Sequence, residues 1–172
     1  GLLLGWHRPL FNRAALSGTV GEVLEEARAD VGVLVDRGLG QIQRVLVPFH
    51  RTAQDRAALL LAKRLFEQAG ASITVLNVID DKQRVPSQPD VDQQLREVFG
   101  EQAVLVTVKS VEAEAPAEAA LAEIRSQTAT PYDLILVGIG RDWGLEARQF
   151  GIQQEFLIRE CPTSLLIVRG YD

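Results

Sequence analysis

Short runs of Leu, Ile and Val recur along the chain, separated by longer segments whose apolar residues fall at helical spacing. The runs are Leu2–Gly5, Val31–Val35, Arg44–Pro48, Ser72–Val78, Ala103–Val108, Asp133–Gly138 and Ser164–Val168. Several are apolar almost throughout, as parallel strands covered on both faces must be. After Arg51, Thr52 followed by Asp55 reads as a helix start of the capping-box kind. Ala58, Leu61, Ala62, Leu65 and Ala69 then share one helical face, and Gly70 stands where a left-handed C-terminal glycine belongs. Val91, Leu95, Val98 and Phe99 form a second stripe between Pro89 and Gly100. Ala117, Ala120, Leu121 and Ile124 form a third, with Pro116 at its first turn. Ile152, Phe156 and Leu157 belong to a fourth, matched early in the chain by Val20, Val23, Leu24 and Ala27.

From Arg44 onward strands and helices alternate, which predicts right-handed crossovers and a Rossmann-like, doubly wound parallel α/β sheet. The stretch before Arg44 repeats only the last strand, loop, helix and strand of that unit. Gly5, Arg8 and Gly18 stand at the spacing of Gly138, Arg141 and Gly151, and "VLVDRG" closes the first stretch as "LLIVRG" closes the second. The spacing predicts a repeat of about 130 residues, with the C-terminal half of one copy over 1–38 and a complete copy over 39–172. The sequence contains no Met and enters directly on a strand-like run, which leads us to expect a fragment lacking roughly 95 residues of the first copy.

Composition narrows the function. With 47% apolar residues there is ample material for a core, and a net charge of −5 without a basic run argues against nucleic acid as a partner. The single Cys, Cys161, excludes an internal disulfide framework and reads as a buried structural thiol. No run approaches the roughly 18 apolar residues of a membrane span. His7 and His50 lack neighbouring ligands, so no metal site is expected; each reads most simply as a loop histidine, with His50 also placed to touch a ligand. Asp80 and Asp81 are most simply turn formers. Trp6 and Trp143, inside the two glycine frames, suit base stacking or packing equally. No GxSxG and no nucleophile beside a His occurs, and the chain reads as non-enzymatic.

A strand ending in Gly, then a loop and a Gly opening a helix, is a geometry that cradles phosphate, although a tight loop alone also explains such glycines. The dinucleotide fingerprint fits poorly, and no P-loop is present.

On "RVLVPFH", "DRAALLLAKRLFEQAGA", "SITVLNV" and "DLILVGIGRDWGLEARQFGIQQEFLIRECPTSLLIV", the chain resembles the universal stress protein family across Arg44–Val168; Leu2–Val35 resembles the second half of another such domain. The resemblance implies a five-stranded parallel sheet and a nucleotide site of pattern Gly, two residues, Gly, nine residues, Gly, then Ser or Thr. Gly138 and Gly151 match it, whereas Arg141 replaces the middle Gly, Ile152 the hydroxyl residue and His50 the family's acid after the first strand. The implied nucleotide-binding residues are Pro48, His50, Val78, Val137, Gly138, Arg141, Gly151 and Ile152, with Gly5, Arg8, Gly18 and Thr19 in the first copy. The implied ligand is ATP, AMP or a cyclic dinucleotide, with the guanidinium of Arg141 as a direct phosphate partner. "GWHRP" followed by "DVGVLVDRG" further resembles the C-terminal cytoplasmic region of bacterial Kef-like monovalent cation–proton antiporters. That resemblance implies a soluble regulatory or assembly domain on the cytoplasmic face of the inner membrane. It also implies, as partner, a membrane transporter domain of the same polypeptide. The family also implies dimers and antiparallel pairing of last strands, here Val31–Val35 with Ser164–Val168. A freestanding tandem stress protein binding ATP or AMP is the alternative.

Overall fold

The computed structural model describes residues 1–5, 22–23, 26–50, 54–79, 90–114, 116–139 and 156–171. Among them the strands are β1 (Leu2–Gly5), β2 (Val31–Val35), β3 (Arg44–Phe49), β4 (Ser72–Ile79), β5 (Thr107–Glu112), β6 (Leu134–Ile139) and β7 (Ser164–Arg169). The helices are α1 (Asp55–Ala69), α2 (Val91–Phe99) and α3 (Pro116–Ser126), with a 3-10 helix over Gly100–Leu105. All seven strands join one sheet in the order β1-β2-β7-β6-β3-β4-β5. The five strands from β7 to β5 run parallel, as the alternation predicted. β1 and β2 are parallel to each other and antiparallel to the rest, because β2 lies along β7 with Val33 opposite Ile167 and Leu34 opposite Leu166. This is the last-strand pairing that the resemblance implied.

Two apolar layers sandwich the sheet. On one face Val31, Val33, Val35, Leu165 and Ile167 pack with Ala117, Ala120, Leu121 and Ile124 of α3 and with Leu157 and Ile158. On the other, Val45, Val47, Phe49 and Leu136 pack under Ala58, Leu59 and Ala62 of α1 and Val91, Leu95, Val98 and Phe99 of α2. Alternate residues of β2 therefore reach opposite layers, as the strand period demands.

The helix ends explain the crossovers. Gly70 closes α1 at φ +66°, the left-handed geometry favoured by glycine, and its N–H donates to the Leu65 carbonyl. Asp90 caps α2, accepting from Gln93 N–H, and Gly100 ends it at φ +60°. At the amino edge of the sheet Asp133 Oδ2 accepts the N–H groups of Gln43 and Arg44, both at 2.9 Å, latching β6 to the start of β3.

Four expectations are corrected. The run Ala103–Val108 is not the fifth strand: Gly100–Leu105 is a 3-10 turn, and the strand is Thr107–Glu112. As an edge strand with mostly exposed side chains, β5 needs no apolar run. Helix α1 begins at Asp55 after Gln54, which provides no side-chain cap; Thr52 lies outside the described residues. Its buried face is Ala58, Leu59 and Ala62, with Leu61 and Leu65 partly buried against the same core as expected, whereas Ala69 is exposed. Phe156 is 39% exposed, and Leu157 and Ile158 fill the core in its place.

Candidate functional site

In an open parallel sheet, ligands sit beyond the carboxyl ends of the strands where the winding direction reverses. Here β3 is flanked by β4 on one side and β6 on the other, so the reversal falls between β3 and β6. The carboxyl ends of β3, β4 and β6 bring Pro48, His50, Val78, Val137 and Gly138 to that end of the sheet. Val78 is 2% exposed and serves the core layer, while Pro48, His50, Val137 and Gly138 are half-buried around the crevice. Gly5 ends β1, whose strand is antiparallel to β6 and separated from it by β2 and β7; its end is thus remote from this crevice. Arg8, Gly18, Thr19, Arg141, Gly151 and Ile152 lie outside the described residues, as do Trp6, His7, Asp80, Asp81 and Trp143.

The structure gives Gly138 a reason of its own. A Cβ there would overlap the Gln54 carbonyl oxygen and stand 2.6 Å from its carbon and 3.2 Å from Asp55 N. The missing side chain lets the first turn of α1 descend onto β6, so the helix N-terminus closes against the crevice. Asp55, 5% exposed, fixes the same corner by accepting the His50 N–H at 2.9 Å. Sequence reasoning passed over Asp55 as a partner of the capping box; its buried role was signalled only by its place at the start of an amphipathic helix.

Asn77 was also missed. Near the end of β4 and 4% exposed, it donates Nδ2 to Ser110 Oγ at 3.2 Å across to β5. Arg169, the last residue of β7, is 1% exposed and donates Nη2 to the carbonyls of Ala27 at 2.6 Å and Ala29 at 3.2 Å. Its only signal in the sequence is a charge closing an apolar strand.

At the opposite, amino end of the strands a second polar group forms. Glu123 Oε1 accepts from Lys109 Nζ at 2.6 Å and from Tyr132 Oη–H at 2.8 Å, and the Arg44 guanidinium lies 4.5 Å from the Tyr132 ring centroid. Burial opposes ionisation of Glu123, yet the Lys109 and Tyr132 hydrogen bonds overcome it and hold the carboxyl below its ordinary value. The Glu123 hydrogen bond raises Lys109, while burial and then Glu123 raise Tyr132. This group braces α3 against the sheet, far from the crevice. Cys161 is buried, its Sγ–H donates to the Thr163 carbonyl at 3.3 Å, and burial pushes its thiol up, the profile of an inert structural thiol. Among the described residues no cluster of three or more His, Cys, Asp or Glu could hold a metal, and no helix is long and apolar enough to cross a membrane.

The fold is that of a small α/β domain built on a mostly parallel sheet with a strand-order reversal. The universal stress protein family model matches residues 41–169, and the chain belongs to that family. It is similar to the crystal structure of a universal stress protein from Archaeoglobus fulgidus DSM 4304, with 20% identity and a TM-score of 0.67. That match covers 99% of this chain and 60% of the other, so this chain spans less than two thirds of that protein's length. It is similar as well to a universal stress protein crystallised in complex with cAMP, with 18% identity, a TM-score of 0.52 and coverage of 74% of this chain and 97% of that one. Both likenesses concern the fold alone. No curated protein matches.

Proposed function

We propose that the complete domain binds an adenine nucleotide at the carboxyl ends of β3 and β6 and acts as a non-enzymatic binding module. The observation that carries this reading is the strand-order reversal between β3 and β6, where Gly138 lets the first turn of α1 close in on the carboxyl ends of the strands. A similarly folded universal stress protein holds cAMP, which makes a cyclic or linear adenine nucleotide the ligand class to test. Calorimetric titration with ATP, ADP, AMP, cAMP and a cyclic dinucleotide tests it. Saturable binding of one of them at a stoichiometry near one per chain is expected, and no heat from any of them refutes it.

The segment 1–38 is, in this proposal, the second half of a further copy of the domain. Support comes from β1 and β2 lying parallel, as β6 and β7 do, and from the antiparallel β2–β7 junction joining the two pairs. The open outer edge of β1 makes a second copy of the chain the proposed partner. The narrower reading, a regulatory or assembly domain of a monovalent cation–proton antiporter, rests on the sequence resemblance of Gly5–Pro9 and Asp30–Gly38. It is tested by the parent gene, which must then encode ten or more hydrophobic spans ahead of Gly1; a gene without them sinks it.

A further inference from the structure

Among the described residues nothing gives Arg169 a counter-charge. The residue is 1% exposed, and its Nε and Nη1 are buried with no hydrogen-bond partner. Among the described residues its acceptors are the two backbone carbonyls of Ala27 and Ala29, both reached by Nη2. No carboxylate among the described residues pairs with it. A guanidinium cannot escape burial by losing its proton, so an unpaired one in the interior is strongly unfavourable unless an anion completes it.

A comparison inside the chain sharpens the point. Arg37 follows β2 in "VLVDRG" as Arg169 ends β7 in "LLIVRG", and it donates Nη2 to the Ile158 carbonyl at 2.6 Å in the same way. Arg37 is exposed, so its guanidinium keeps access to solvent. Stapling a carbonyl therefore does not require burying the guanidinium. Arg169 is buried at a particular place: it pairs with Ile139, one residue beyond Gly138, at the carboxyl end of the parallel strands. Its strand period puts it on the face of Leu165 and Ile167, the face that Leu157 and Ile158 cover.

We infer that Arg169 is a phosphate-binding residue, completed by the phosphate of the nucleotide held at the carboxyl ends of β3 and β6. The inference rests on the nucleotide reading above and adds to it a residue outside the glycine frame, one that selects phosphate-bearing ligands over the bare nucleoside. The donors are two buried nitrogens of a permanent cation, which suit a phosphate monoester or diester oxygen.

The test is calorimetric titration of the whole chain, and of Arg169→Gln, Arg169→Lys and Arg37→Gln, with AMP, cAMP and adenosine. Arg169→Gln is expected to weaken AMP and cAMP by roughly tenfold or more and leave adenosine unchanged, with Arg169→Lys intermediate and Arg37→Gln like the parent. Equal losses for adenosine and AMP, or undiminished AMP binding, overturn the role of Arg169 and leave the nucleotide reading standing. No binding of any of the three to the parent chain overturns both. Should Arg169→Gln fail to fold, the parent chain still decides: its Arg169 Nε–H resonance, assigned by its loss in Arg169→Lys, must shift with AMP and stay put with adenosine. A resonance that ignores AMP overturns the inference.

Discussion

Replacing Gly138 by Ala separates the two reasons a glycine can stand at a strand end. The added Cβ would collide with the Gln54 carbonyl and press on Asp55 N, and these are backbone atoms of the first turn of α1. They cannot swing aside as a side-chain tip can, so the cost lies at the upper end of the overpacking range, about 3 kcal/mol. If the turn retreats instead, the 2.9 Å bond from His50 N–H to the Asp55 carboxylate breaks, a loss of about 1.5–3 kcal/mol for a hydrogen bond to a charged group. The two routes are alternatives in part, which puts the total at about 3–5 kcal/mol. With a urea slope of about 1–3 kcal/mol per molar, the unfolding midpoint read by circular dichroism falls by about 1–5 M. Gly5→Ala is the matched control, since nothing lies within 4 Å of its added Cβ, and its change stays within about 0.5 kcal/mol. Equal midpoints for Gly138→Ala and Gly5→Ala would refute the packing argument. A stable Gly138→Ala that has lost nucleotide binding would show that the glycine serves the ligand and not the helix.

Glu123→Gln should flatten the acid side of the stability profile. The folded carboxyl titrates below its ordinary 4.5, so its contribution is complete above that value and is lost as the pH falls through the lowered folded value. Urea melts between neutral pH and pH 3 should show the parent losing stability faster than the variant, and parallel profiles would count against the Lys109–Glu123–Tyr132 group. At the other end of the sheet, Leu3 is 68% exposed on a strand with one unpaired edge. Leu3→Lys is expected to leave the melting midpoint unchanged and to reduce concentration-dependent self-association in light scattering. Undiminished association in the variant would rule out β1 as the contact.

Much of the fold was legible because apolar density and helical period coincide in this chain. Val31–Val35 and Leu2–Gly5 are bounded by Asp or Gly, so their ends could be read directly. The α2 stripe of Val91, Leu95, Val98 and Phe99 is buried as its spacing demanded. β5 was misplaced because an edge strand buries little, while the neighbouring Val104 and Leu105, 87% and 64% exposed, looked like strand core. The site was legible only in outline. That Gly138 answers to Gln54 depends on a contact across the sheet between segments far apart in sequence, which no local pattern records. Arg169 was invisible for a related reason: a charge at a strand end reads as exposed until a second segment, Ala27–Ala29, is laid over it.

The β2–β7 junction has the logic of a two-fold interface folded into one chain, in which each side offers the other the same contact. Arg37 reaches the Ile158 carbonyl and Arg169 the Ala27 carbonyl, each at 2.6 Å. At one end Arg37 N–H donates to Ser164 Oγ, and at the other Tyr171 N–H donates to Asp30 Oδ1. The two arginine staples are what half-related units would produce, and they support the copy proposed for residues 1–38. The junction also redistributes the surface that remains for assembly. With β2 and β7 paired to each other, the edge strands of the sheet among the described residues are β1 and β5. β5 carries Lys109 and Glu112 along its six residues, charges that discourage pairing with another strand. β1 carries Leu2, Leu3 and Leu4 with no charge among them, and is the edge on which association should concentrate.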